Sequence, residues 1–172
     1  MSRSKWLSLA GALSLVAALA IVPLASAATP MSFTLTAGAL SISTPMANAI
    51  LGSQVASTTS STISGTIGVV TVTDQRGGTT TWTASAIATA FTPSGGPADP
   101  ASNVSYFAGT ITQTATVVAT AINVSDLTGT SAVVTGASTG ISTASWNPTI
   151  SVIVPANFAP GIYTAAITQS VA

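Results

Sequence analysis

Apolar side chains recur at every second position through most of this sequence and nowhere hold the three-and-four spacing of a helix. Trp82, Ala84 and Ala86 share one face of such a run, and Trp146, Ile150, Val152 and Val154 share another. Tyr163, Ala165, Ile167 and Val171 line a third. Successive strand residues point to opposite faces, so this pattern buries one face of a sheet and wets the other. Gly, Pro, Asn and Ser clusters punctuate the runs about every ten residues. The reading is all-β: an antiparallel β-sandwich, Ig-like, of about seven to nine strands.

Several runs change phase midway. Phe33, Leu35 and Ala37 alternate, and Leu40 and Ile42 continue one register out with Gly38 at the break. Ile67 and Val69 likewise give way to Val70 and Val72. A glycine at a phase change predicts a bulge or a strand that switches sheets. Pro45–Ser60 and Thr92–Ser102 read as loops, the second with three prolines and two glycines. Val104–Val124 is too long for one strand, which predicts a bend near Phe107–Gly109. Val133 and Val134 mark a short strand.

Residues 1–27 read as a secretory signal peptide. Arg3 and Lys5 precede a Leu/Ala-rich apolar run, and Ala25-Ser26-Ala27 offers small residues for cleavage before Ala28. The remaining 145 residues, 28–172, suit a single secreted domain with no membrane segment after the leader is removed. No cysteine is present, so disulfides, thiolate metal sites and a lipid-acylated anchor are all excluded.

Beyond the leader the charged residues are Asp74, Arg76, Asp99 and Asp126, a net charge of about −2 at neutral pH. One arginine cannot neutralise a run of phosphates, so nucleic acid is excluded as a partner. Solubility falls to hydroxyls, with Ser and Thr filling 48 of the 145 positions. His, Cys and Glu are absent, and with them the usual general base, thiol nucleophile and zinc ligand. The expectation is a non-enzyme with no catalytic residues, no cofactor and no metal. Asp126, in NVSDLTG, is one carboxylate where calcium needs several oxygens.

The candidate contact residues are Asp74, Arg76 and Trp82. Asp74 and Arg76 flank the DQRGG turn, read as a hairpin tip, where Gly77 and Gly78 can take positive φ. Turn chemistry is the first reading of that pair and a polar contact to a partner the second. Trp146 reads as core. Tyr163 follows the turn Asn157–Ile162, where a tyrosine hydroxyl commonly bonds upstream backbone and locks a sandwich corner.

In VTVTDQRG at Val70–Gly77, the tryptophan strand beginning at Trp82, and WNPTISVIVPANFAPGIYTAAIT at Trp146–Thr168, the chain resembles the WxL-type secreted surface proteins of Gram-positive bacteria. It is most similar to short actinobacterial-type members built from a signal peptide and one domain. The resemblance brackets most of residues 28–172 and implies a β-sandwich held at the cell surface, associating non-covalently with cell-wall polymer or surface proteins. Two motifs depart from the family. Trp82-Thr83-Ala84 stands for the first Trp-x-Leu, and Gln169-Ser170-Val171 stands where the second tryptophan motif belongs. The rival expectation is a self-assembling homo-oligomer. No lysine lies beyond the leader and Gly161–Ala172 carries no charge, so strand edges lack the usual guards against pairing.

Overall fold

In the computed structural model, which describes residues 28–45 and 48–172, the alternating runs form antiparallel strands and no α-helix. The leader expected over residues 1–27 lies outside the described residues. In chain order the segments are β1 (Leu40–Ser43), β2 (Ser61–Thr66), β3 (Val70–Asp74), β4 (Thr79–Ala88), β5 (Thr92–Pro93), β6 (Val104–Phe107) and β7 (Ile111–Gln113). They continue as β8 (Val117–Ala121), β9 (Ser131–Thr139), β10 (Ser142–Trp146), β11 (Thr149–Val154), β12 (Tyr163–Thr164) and β13 (Ile167–Val171).

One layer is a sheet broken along a line. Its two halves have the orders β1-β3-β10-β7 and β2-β11-β6. β2 runs into β3 through Ile67–Val69, β10 into β11 through Asn147–Pro148, and β6 into β7 through Ala108–Thr110. Three neighbouring strands therefore break together. Pro148 has no N–H for the ladder, and Gly68 and Gly109 take φ of 96° and 71°. The interrupted groups are still satisfied: Ile67 N–H donates to the Pro148 carbonyl at 3.2 Å, and Gly68 N–H to Asn147 Oδ1 at 3.1 Å. The phase change at Ile67–Val69 and the bend at Phe107–Gly109 are this line.

The second layer has the order β13-β4-β9-β8, with the short pair β12-β5 apart from it. Counting each broken strand once and setting aside β5 and β12 leaves eight main strands. The all-β antiparallel sandwich is as expected, but its strand order is not that of an immunoglobulin domain. Pairing is nested: β3 lies against β10 in one layer, and their continuations β4 and β9 lie against each other in the opposite layer.

That nesting corrects the reading of DQRGG as a hairpin. β3 pairs with β1 and β10, whereas β4 pairs with β13 and β9, so Gln75–Gly78 carries the chain from one layer to the other. Gly77 and Gly78 hold φ of 71° and 69° in that crossing. Thr114–Thr116 is a second crossing, between β7 and β8, which the unbroken alternation of 111–121 conceals. The strand expected around Val133 extends over nine residues. Phe33–Ala37 forms no strand, and Ala165–Ala166 separates β12 from β13.

Val70 and Val72 from the first layer face Trp82, Ala84 and Ala86 from the second, all buried. Trp82 lies opposite Gly136 in the β4–β9 register, and its ring occupies the space a side chain at 136 would need. Trp146 and Tyr106, both buried, form a polar chain with the half-buried Gln169. Trp146 Nε1–H donates to Tyr106 Oη at 2.8 Å, and Tyr106 Oη–H donates to Gln169 Oε1 at 2.9 Å. It ties β10 and β6 to β13 in the opposite layer. Burial, partly offset by the Trp146 hydrogen bond, pushes the Tyr106 hydroxyl up to about 12, so it stays a neutral donor. Tyr163 Oη donates to the Ala159 carbonyl at 2.9 Å, and its ring stacks on Phe158 at 5.9 Å.

The two buried tryptophans differ in one respect: Trp82 Nε1 has no hydrogen-bond partner. Trp146→Phe loses packing and a bond, costing about 2–4 kcal/mol, whereas Trp82→Phe loses packing and removes an unpaired donor, costing about 1–2 kcal/mol. Urea unfolding midpoints of the two variants check this order.

Candidate functional site

The three residues expected to make contacts divide between a corner and the core. At the Gln75–Gly78 crossing, Asp74 is fully buried while the Arg76 side chain is 34% exposed. Asp74 Oδ1 accepts from Arg76 N at 3.1 Å and Arg76 Nε at 2.9 Å. Oδ2 accepts from the Arg76 terminal guanidinium nitrogen at 2.9 Å and from Thr80 Oγ1 at 2.7 Å. The same guanidinium nitrogen donates to the Thr81 carbonyl at 2.9 Å. The carboxylate thus has donors from within the crossing, Arg76, and from beyond it, Thr80. The arginine hydrogen bond, reinforced by Thr80 and opposed by burial, holds its carboxyl well below the usual range. Ser142, the register partner of Asp74 on β10, shares a 2.8 Å hydroxyl bond with Ser138 on β9. Trp82 is buried against Gly136 and offers no surface.

The other carboxylates are also occupied locally. Asp126 Oδ1 accepts from Thr128 N at 2.8 Å and Thr128 Oγ1 at 2.5 Å in an exposed turn, which lowers its pKa. Asp99 is buried, and desolvation raises its pKa against the opposing hydrogen bond from Asn103 at 2.6 Å. Among the described residues no three metal-ligating side chains gather, and no helix is long and apolar enough to cross a membrane.

A cleft of about 980 Å³ opens in the half of the molecule that contains β2 and β11. Ile150 and Val152 of β11 lie buried beneath it, Ile63 on β2 and Ile167 on β13 line it from the two layers, and Leu51–Gln54 runs along β2, with Leu51 against Gly65 and Gln54 Nε2 donating to Ser61 Oγ at 2.8 Å. The Asn48–Ser57 loop and the Phe158–Ile162 turn form the rim. It opens because β1, which lies beside β13 further along the sandwich, ends at Ser43 and no strand continues it next to β2. Among the described residues the outer edge of β2 has no strand partner. Gln169, the acceptor at the end of the Trp146–Tyr106 chain, faces this cleft, as does Asp99. Sequence reading singled out neither Tyr106 nor the cleft. The only trace was the pattern ITQSV, in which a polar Gln shares the inward face with Ile167 and Val171.

The corner has a pH signature. The folded-state pKa of Asp74 is depressed, so its contribution is complete above the unfolded value near 4 and lost as pH falls further. Asp74→Asn should cost about 1–3 kcal/mol at pH 7, where a buried acceptor of the arginine is removed. That gap should shrink as both proteins are titrated below pH 4, as read from urea midpoints.

In comparisons of the chain with family models, with curated proteins and with solved structures, nothing matches.

Proposed function

We propose that the chain is a non-enzymatic secreted surface protein that associates non-covalently with cell-wall polymer or with surface proteins, through the cleft between β2 and β13. The cleft carries the reading. Its lining mixes apolar side chains with hydroxyls and amides and contains no Lys or Arg. Such a surface suits an uncharged chain held by apolar contact and hydrogen bonds rather than by ion pairing. Asp99, its one acidic member, is buried with a raised pKa and bonded to Asn103. The signal-like leader and the resemblance to WxL-type proteins support the same reading. Asp74 and Arg76 satisfy one another at the corner, which leaves the cleft as the larger free surface.

Ile162 is 81% exposed on the cleft rim and takes part in no strand, so it can be altered without disturbing the core. Protein beginning at Ala28 should co-sediment with isolated cell walls at low and moderate salt. Ile162→Asp should bind about tenfold more weakly, as expected for replacing a buried apolar contact by a charge. Protein that stays wholly in the supernatant contradicts wall association.

A further inference from the structure

β13 is the edge of its sheet, with β4 on one side and, among the described residues, no strand on the other. The pairing with β4 decides which of its backbone groups are left over. Thr83 N–H donates to the Ala172 carbonyl at 2.8 Å, and Ala172 N–H donates back to the Thr83 carbonyl at 3.1 Å. Thr89 N–H donates to the Ala166 carbonyl at 2.9 Å. Bonded and non-bonded pairs alternate along an antiparallel ladder, so Thr168 and Ser170 also turn their backbone groups to β4. Ile167, Gln169 and Val171 turn theirs away, and no backbone group of the described residues bonds them.

Other edges are occupied by the chain itself. Tyr106 on β6 exchanges both backbone bonds with Val124, at 2.7 and 3.0 Å. On β8, Ala119 N–H donates to Gln113 Oε1 at 2.8 Å. Leu51–Gln54 runs along β2. β1, in the other layer, approaches β13 without pairing to it. No residue of β13 is buried, its register with β4 is unbroken, and it carries no lysine, proline or charge to deter a further strand.

The sequence of this strand points to its partner. Ala166-Ile167-Thr168-Gln169-Ser170-Val171-Ala172 presents the same order of side chains from either end: alanine, β-branched apolar, hydroxyl, amide, hydroxyl, β-branched apolar, alanine. Two copies related by a two-fold axis at Gln169 therefore pair antiparallel with like chemistry opposite like, as a self-complementary interface requires. Ile167 meets the second copy's Val171 on the inward face, and Thr168 meets the second copy's Ser170 on the outward face. The outward-turned groups of Ile167, Gln169 and Val171 meet the same groups in reverse order, each pair exchanging two bonds. Gln169 commits its Oε1 to Tyr106, while its Nε2 has no bond among the described residues. At the axis the two amides are cross-strand neighbours.

We propose that two copies of the chain join edge to edge through β13 as a closed two-fold dimer, in which two four-stranded sheets become one continuous sheet. A single strand pair lies at the small end of specific interfaces, so the dimer is weak and forms with concentration. Few charges on either copy oppose the approach. Ile167 and Gln169 also line the cleft, but the bonds used here are main-chain ones at the strand's outer edge. The dimer goes beyond the reading of the cleft and stands or falls apart from it.

The test is sedimentation equilibrium of protein beginning at Ala28 over rising concentration, with amide exchange followed residue by residue. The mass should rise from one chain to two and stop there. Exchange at Ile167, Gln169 and Val171 should slow in concentrated protein, while Thr168 and Ser170, already bonded to β4, stay as they were. Thr168→Lys/Ser170→Lys sets lysine opposite lysine across the axis and should weaken the dimer about tenfold. Thr168→Lys/Ser170→Asp sets each lysine opposite the other copy's aspartate and should dimerise at least as well as wild type. Both positions are exposed, so both variants should keep the wild-type circular dichroism spectrum. A mass of one chain at every concentration overturns the inference and leaves the edge to a strand of another protein. Growth past two chains, or equal dimerisation of the two variants, also overturns it. So does exchange at Ile167, Gln169 and Val171 that is already slow in dilute protein, since the chain itself would then cover the edge.

Discussion

The sandwich depends on carrying two paired strands from one layer to the other, and a buried carboxylate secures that crossing. Burying an unpaired charge is costly, and a charge-poor chain has few groups to compensate it. Asp74 is compensated from within seven residues of chain, by Arg76 through backbone and side chain and by Thr80 through its hydroxyl. Charge-assisted bonds of this kind are short and directional, so they fix the angle of the crossing as well as stabilising it. Here lies the reason a protein with so few charges places two of them together. The neighbouring crossing between β9 and β10 is held by the neutral pair Ser138 and Ser142.

Packing follows from the crossing. Once β4 lies over β3, Trp82 must fit between layers, and it does so against Gly136 rather than against a side chain. Gly136 on β9, which has no side chain, is the counterpart of that ring. The layers are then tied by the Trp146–Tyr106–Gln169 chain, in which two buried polar side chains are satisfied through a half-buried amide. Its end at Gln169 marks where the sandwich stops being closed and the cleft begins.

Much of the fold was legible because period-two alternation is local. Val70, Val72, Trp82, Ala84 and Ala86 are inward as their spacing required, and Pro148 and Gly68 lie where strands break. Which strand pairs with which was not legible. A four-residue glycine turn after VTVTD suits a hairpin and a layer crossing equally, and only the non-local partners β1, β10, β13 and β9 distinguish them. The length of β9 was hidden for a related reason, since its second half is small and polar under Trp82. Tyr106 finds its partners 40 and 63 residues away, beyond any local pattern. The alternation of Phe33 and Leu35 reads as a strand, yet none forms there.

Ionic chemistry thus holds the crossing, whereas the cleft proposed above as the contact surface is lined without Lys or Arg. The direct test of that division is to map amide exchange across the whole chain with and without isolated cell-wall material. The account predicts protection over Ser61–Thr66 and Ile167–Val171, with Asp74–Gly78 unchanged. Protection centred on Asp74–Gly78, with β2 and β13 unaffected, would contradict it.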